Sequence, residues 1–113
     1  MYAARETSPA LKGNFMAAHD DMRTPEVEQL LTALGSLKSN DERYALLVDL
    51  ATFREIQEMS QRLEVARLLS KGEPYVAIQK ATGASATTVA RVSKCLNYGE
   101  GGYNTTLQRM EQK

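Results

Sequence analysis

The chain has 113 residues, enough for one domain and too few for two of ordinary size. Hydrophobic residues make up 42% and charged residues 25%, a mix that excludes wholesale disorder. The formal net charge is zero, which excludes a chain that is basic throughout, but the charge is unevenly spread. Asp20 to Gln61 holds nine acids and four bases, a balance of −5. Arg62 to Tyr98 holds six bases and two acids, a balance of +4. Nucleic-acid binding needs a basic face rather than a basic whole, and the second half of the chain can supply one.

Cys95 is the single cysteine and His19 the single histidine. An internal disulfide, a zinc site, a Cys–His dyad and a histidine-dependent triad are therefore not expected. No metal, no cofactor and no catalysis are anticipated, because no nucleophile–base pair stands out. The lone cysteine suits a reducing compartment, so a cytoplasmic protein is expected. No apolar run reaches the roughly 18 residues of a membrane span, and the first residues lack the pattern of a signal peptide. Leu, Ala and Val dominate and Trp is absent, which favours an all-α fold.

Residues 1–23 read as a flexible N-terminal arm, broken by Ser8-Pro9 and Gly13-Asn14. Thr24-Pro25 starts the first helix, with Thr as N-cap and Pro where its missing N–H costs nothing. Val27, Leu30, Leu31, Leu34 and Leu37 follow at helical spacing. Four or five short helices cannot easily bury all of this apolar surface in a small monomer, so the stripe reads either as an ordinary core helix or, more sharply, as a dimerisation helix. Ser39-Asn40-Asp41-Glu42 has the form of a capping box and starts a second helix, about Asn40 to Leu50, with Tyr44, Leu47 and Leu50 on one face. Thr52-Phe53-Arg54-Glu55 repeats the pattern and starts a third, about Phe53 to Lys71. Ile56, Met59, Leu63 and Ala66 form its stripe, and Val65, Leu68 and Leu69 widen it, which predicts burial against more than one neighbour. Gly72 is placed to end it.

Pro74 then starts a short helix, and Gly83 allows a sharp turn. Ser85 is the N-cap candidate of the next helix, which runs to about Leu96. Ile78, Val89 and Val92 are spaced to meet between the two helices. This is a helix-turn-helix pattern, departing from the common form at Gln79, where a small Ala is usual. On the second helix Val89, Val92 and Leu96 point one way, while Thr87, Arg91 and Lys94 point the other with Ala90 at the edge. A polar, basic face opposite an apolar one is what a helix inserted in the major groove of double-stranded DNA needs. The candidate DNA contacts are Gln79, Lys80, Ser85, Ala86, Thr87, Thr88, Ala90, Arg91 and Lys94. Ala86 and Ala90 are small enough for close approach, and Lys80 and Lys94 suit phosphates. A capping preference at the helix start and ordinary solvated lysines would account for the same residues one by one. The domain is expected to span 24–98, with 99–113 a Gly-containing tail.

From about Ser36 to Tyr103 the chain resembles the YerC/YecD family of Trp-repressor-like proteins. The resemblance lies in Glu55-Ile56-Gln57, Ser60-Gln61-Arg62, Ile78-Gln79 with Thr82-Gly83-Ala84-Ser85, and Arg91-Val92 with Cys95-Leu96-Asn97-Tyr98-Gly99 and Gly102-Tyr103. It implies a Trp-repressor-like helical bundle, an intertwined homodimer with one recognition helix per half-site, and a role in transcriptional regulation. It implies that Arg62 and Arg91, with Thr52, stand where a corepressor is held. Val92 replaces a glycine that lies against the indole ring, and a branched side chain there fills the space. Tryptophan is accordingly not the expected ligand, and the pocket is either closed or serves another effector. The family's DNA contacts fall on Gln79, Ala86, Thr87 and Ala90, whose chemistry here implies a different operator. Two other readings stay open: the same dimer gated by a small effector near Arg62 and Arg91, and a dimeric adapter that keeps the shape without binding DNA.

Overall fold

The computed structural model describes residues 22–112, all of whose regular elements are helical. The expected arm lies outside the described residues except for Met22 and Arg23. Six helices follow: α1 Pro25–Ser36, α2 Asn40–Leu50, α3 Phe53–Ser70, α4 Tyr75–Thr82, α5 Ala86–Tyr98 and α6 Gly102–Glu111. The chain divides into two compact units between Asp49 and Leu50.

In the first unit, the Thr24 hydroxyl accepts from Val27 N at 3.2 Å and Pro25 leads the helix. Glu26 and Glu28 occupy its first turn, where a carboxylate meets the positive end of the helix dipole. Arg23 forks onto Glu28 at 2.6 and 3.0 Å, which ties the start of α1 to the residue before its cap. At α2 the Ser39 hydroxyl caps Glu42 N at 3.1 Å, as the capping box requires. The Glu42 carboxylate reaches one residue further than expected, accepting from Lys38 N at 2.8 Å. Neither α1 nor α2 has a buried residue, although Leu30, Leu31 and Leu34 share one face of α1.

In the second unit the capping box of α3 is complete: Glu55 N donates to Thr52 Oγ at 3.0 Å and Thr52 N to Glu55 Oε1 at 2.7 Å. These bonds, first the one from the Thr52 backbone, hold the Glu55 carboxyl below its usual range. The expected wide apolar front of α3 is used unevenly. Val65 and Ala66 are fully buried, with Leu63, Leu68 and Leu69 packed around them, whereas Phe53 and Met59 near its start are exposed. Lys71 caps α3 and Gly72 follows it in the left-handed conformation. Glu64 and Arg67 form a forked pair on its outer side at 2.7 and 2.8 Å, which lowers the Glu64 carboxyl and raises the guanidinium.

The core joins Val65 and Ala66 to Ile78 of α4, Ala84 of the turn, Val89 and Val92 of α5, and Leu107 of α6. Burying each of the large aliphatic members is worth about 1.5–3 kcal/mol before entropy is subtracted. Leu107 marks the main departure from the sequence reading. Residues 99–113, expected as a tail, carry α6, and Tyr103 packs beside Leu107 against the core. Tyr103, Leu107 and Met110 do have helical spacing, but the flanking Gly99, Gly101 and Gly102 hid it. Gly99 is needed there, because a Cβ on it would collide with the Cys95 carbonyl at the end of α5. Asn104 of α6 donates to the Leu96 carbonyl at 3.1 Å, one of the free carbonyls of the last turn of α5.

Candidate nucleic-acid interface

The second unit contains a two-helix corner made by α4, the residues 83–85 and α5. Each joint of it has a chemical cause. Gly83 closes α4 at φ +78°, a conformation that costs a residue with a side chain about 1–2 kcal/mol, and its N–H donates to the Gln79 carbonyl at 2.8 Å. Thr82 uses its hydroxyl twice, donating to the Ile78 carbonyl at 2.8 Å and accepting from Ala84 N at 3.1 Å. Ala84 is buried, which tucks the turn into the core. Ser85 caps α5, accepting from Thr88 N at 3.1 Å and donating to the Thr88 hydroxyl at the same distance. The turn also has a tether from outside: Gln61 Nε2 of α3 donates to the Thr82 carbonyl at 3.1 Å.

The faces of α5 fall as the helical wheel predicts. Val89 and Val92 are buried and Leu96 is half-buried. Ser85, Ala86, Thr87, Ala90, Arg91 and Lys94 are exposed, and Thr88 is half-buried beneath the cap. On α4, Lys80 is exposed and Gln79 half-buried. All nine expected DNA-contacting residues thus belong to one corner, and most are open to solvent. No acidic residue of α5 itself stands in its first turn, where the positive end of the helix dipole lies.

The expected ligand residues part company. Arg62 and Arg91 line one cleft of about 300 Å³, together with Glu58, Gln61, Thr87 and Thr88. Thr52 does not line it, and its hydroxyl is engaged as the cap of α3. Val92 is absent from the lining as well, because its side chain is directed into the core. The cleft is therefore lined by polar and charged residues, with two guanidinium groups and one carboxylate among them. Glu58 was missed in the sequence: it reads as a solvated helix residue, and only its spacing of four from Arg62 hinted at a shared face. Arg62 also borders a neighbouring depression lined by Leu50, Ala51, Glu55, Glu58 and Met59. Among the described residues no three His, Cys, Asp or Glu side chains gather so as to hold a metal ion, and no helix is long and apolar enough to cross a membrane.

The chain is similar to known proteins over most of its length. The profile of the Trp repressor protein family matches residues 25–111. The uncharacterized protein YerC of Bacillus subtilis (strain 168) is 45% identical over 93 residues, covering 82% of this chain and 89% of YerC. A TrpR-like protein from Eubacterium eligens superposes with a TM-score of 0.78 at 42% identity, covering 81% of this chain and 95% of its own. A protein from Staphylococcus aureus assigned to the Trp repressors superposes with a TM-score of 0.79 at 35% identity, covering 84% of this chain and 95% of its own. With a family profile that spans α1 to α6 and a relative this similar over most of both chains, the protein belongs to the Trp repressor family and stands beside YerC within it.

Proposed function

We propose that the protein is a homodimeric, sequence-specific regulator of transcription that places α5 in the major groove of double-stranded DNA. The observation that carries this reading is the two-faced character of α5. Its buried side locks it into the corner, while Ala86, Thr87, Ala90, Arg91 and Lys94 are exposed. A helix held by its back and presenting small, hydroxyl and basic residues at its front is built to meet base edges and phosphates. Thr87 and Ala90 stand where base edges are read, Ala86 allows close approach, and Lys80 and Lys94 serve as phosphate contacts. Membership of the Trp repressor family supports the same reading.

The dimer follows from surface that one chain leaves uncovered. The apolar face of α1 has Leu30, Leu31 and Leu34 exposed, and no residue of α1 or α2 is buried. A second copy is the partner that the family supplies for such a face. The protein acts in the cytoplasm and without catalysis on this reading, since its features serve binding.

The test is selection of bound sequences from a random double-stranded pool. A regulator enriches a two-fold symmetric sequence, and Arg91→Ala with Lys94→Ala abolishes the enrichment and flattens the salt dependence by about one unit of slope per lost phosphate contact. No enrichment at physiological salt, with a dimer still present, would leave the adapter reading in its place.

An effector-gated version has one observation in its favour, the shared cleft of Arg62 and Arg91. Its remaining lining of Glu58, Gln61, Thr87 and Thr88 includes no aliphatic or aromatic residue to pack against an indole ring. The effector on this reading is a small polar molecule bearing an anionic group, and tryptophan is disfavoured. A screen of such molecules for a change in DNA affinity decides it: none altering affinity sinks the gate and spares the regulator.

A further inference from the structure

We infer that Gln61 is the positioning residue that sets how the helix-turn-helix sits on α3, an inference that rests on the DNA-binding reading. Among the described residues, the bond from Gln61 Nε2 to the Thr82 carbonyl at 3.1 Å is the one side-chain hydrogen bond that runs from α3 to this corner. The buried contacts that join them are apolar: Val65 and Ala66 against Ile78, Ala84, Val89 and Val92. Hydrophobic contact is non-directional, and it tolerates small slides and rotations of one helix on another. A hydrogen bond restricts distance and angle together. The Thr82 carbonyl can only accept, so the amide nitrogen must face it.

The place where this bond lands matters more than its strength. Thr82 is the last residue of α4, and its hydroxyl already organises the turn by binding the Ile78 carbonyl and Ala84 N. Gly83 follows it, and the space where a Cβ would stand on Gly83 lies 4.0 Å from Gln61 Nε2. The tether therefore grips the chain at the pivot from which α5 departs. A shift at the pivot is magnified along α5, where Thr87 and Ala90 must meet base edges within a fraction of an ångström. Gln61 is half-buried and also borders the cleft of Arg62, Thr87, Thr88 and Arg91, so it connects that cleft to the turn.

The experiment compares the full-length wild type with Gln61→Met, which keeps the length and removes the donor, and Gln61→Lys, which restores one. Two readings are taken: affinity for the sequence that the wild type enriches against affinity for random duplex of equal length, and hydrogen exchange at Gly83, Ala84 and Thr88 without DNA. Loss of one neutral hydrogen bond is expected to speed exchange at these amides by about threefold to tenfold in Gln61→Met, with Gln61→Lys near wild type. Affinity for the enriched sequence falls by about tenfold, while affinity for random duplex, which rests on phosphate contacts, changes less than about twofold. Equal losses on both DNAs, unchanged affinity for the enriched sequence, or failure of Gln61→Lys to recover would overturn the inference. If the wild type enriches no sequence, the DNA-binding reading fails, and the tether is then judged by exchange alone: unchanged exchange in Gln61→Met overturns it, and faster exchange confined to the turn supports it.

Discussion

Single residues carry the sharpest commitments of this molecule. Gly83 stands at φ +78° and closes α4, so Gly83→Ala forces a side chain into the left-handed region. We expect a loss of about 1–2 kcal/mol in a urea titration; a change below about 0.3 kcal/mol would mean that the turn relaxes at no cost. Glu55 is held low by its bonds to Thr52, so its contribution to stability is present above its unfolded pKa and disappears as the pH falls through the lower, folded value. Glu55→Gln keeps an acceptor for the Thr52 N–H but cannot titrate. Between neutral pH and about pH 3 the wild type should therefore lose stability more steeply than the variant, as read from denaturant midpoints. Parallel curves would remove Glu55 from the acid response.

Elements show where local signals suffice and where they do not. The caps at Thr24, Ser39, Thr52 and Ser85 were all legible, because each is a bond between residues three apart. The two faces of α5 were legible for a similar reason: burial of Val89 and Val92 follows from spacing alone once the helix is granted. The last helix was not. Three glycines before its apolar residues made 99–113 look like a tail, yet Leu107 is buried against the helices that precede it. Leu107→Ala is predicted to cost about 2–4 kcal/mol, as expected of a core leucine, in contrast to the near-zero effect of truncating a tail residue. Thermal unfolding separates the two outcomes directly.

At the scale of the whole molecule the question is where uncovered apolar surface goes. Helix α1 has a leucine face without burial, and Phe53 at the start of α3 is 76% exposed. Such surface in water favours association, and the proposed dimer covers it. Sedimentation should find a dimer at micromolar protein, and Leu31→Glu with Leu34→Glu should shift it to monomer while costing DNA affinity. A wild type that sediments as a monomer would contradict this prediction.

By itself the amino-acid sequence determined the all-helical class, the starts of five helices and the outward face of α5. Each depends on hydrogen bonds or side-chain periodicity within a few residues, which a single chain displays directly. Only the tertiary structure decided that α6 joins the core, that Glu58 shares a cleft with Arg62 and Arg91, that Thr52 lies outside the lining of that cleft, and that Gln61 grips the turn. The physical reason is separation along the chain. Gln61 and Thr82 lie 21 residues apart, and nothing local in either one announces the other.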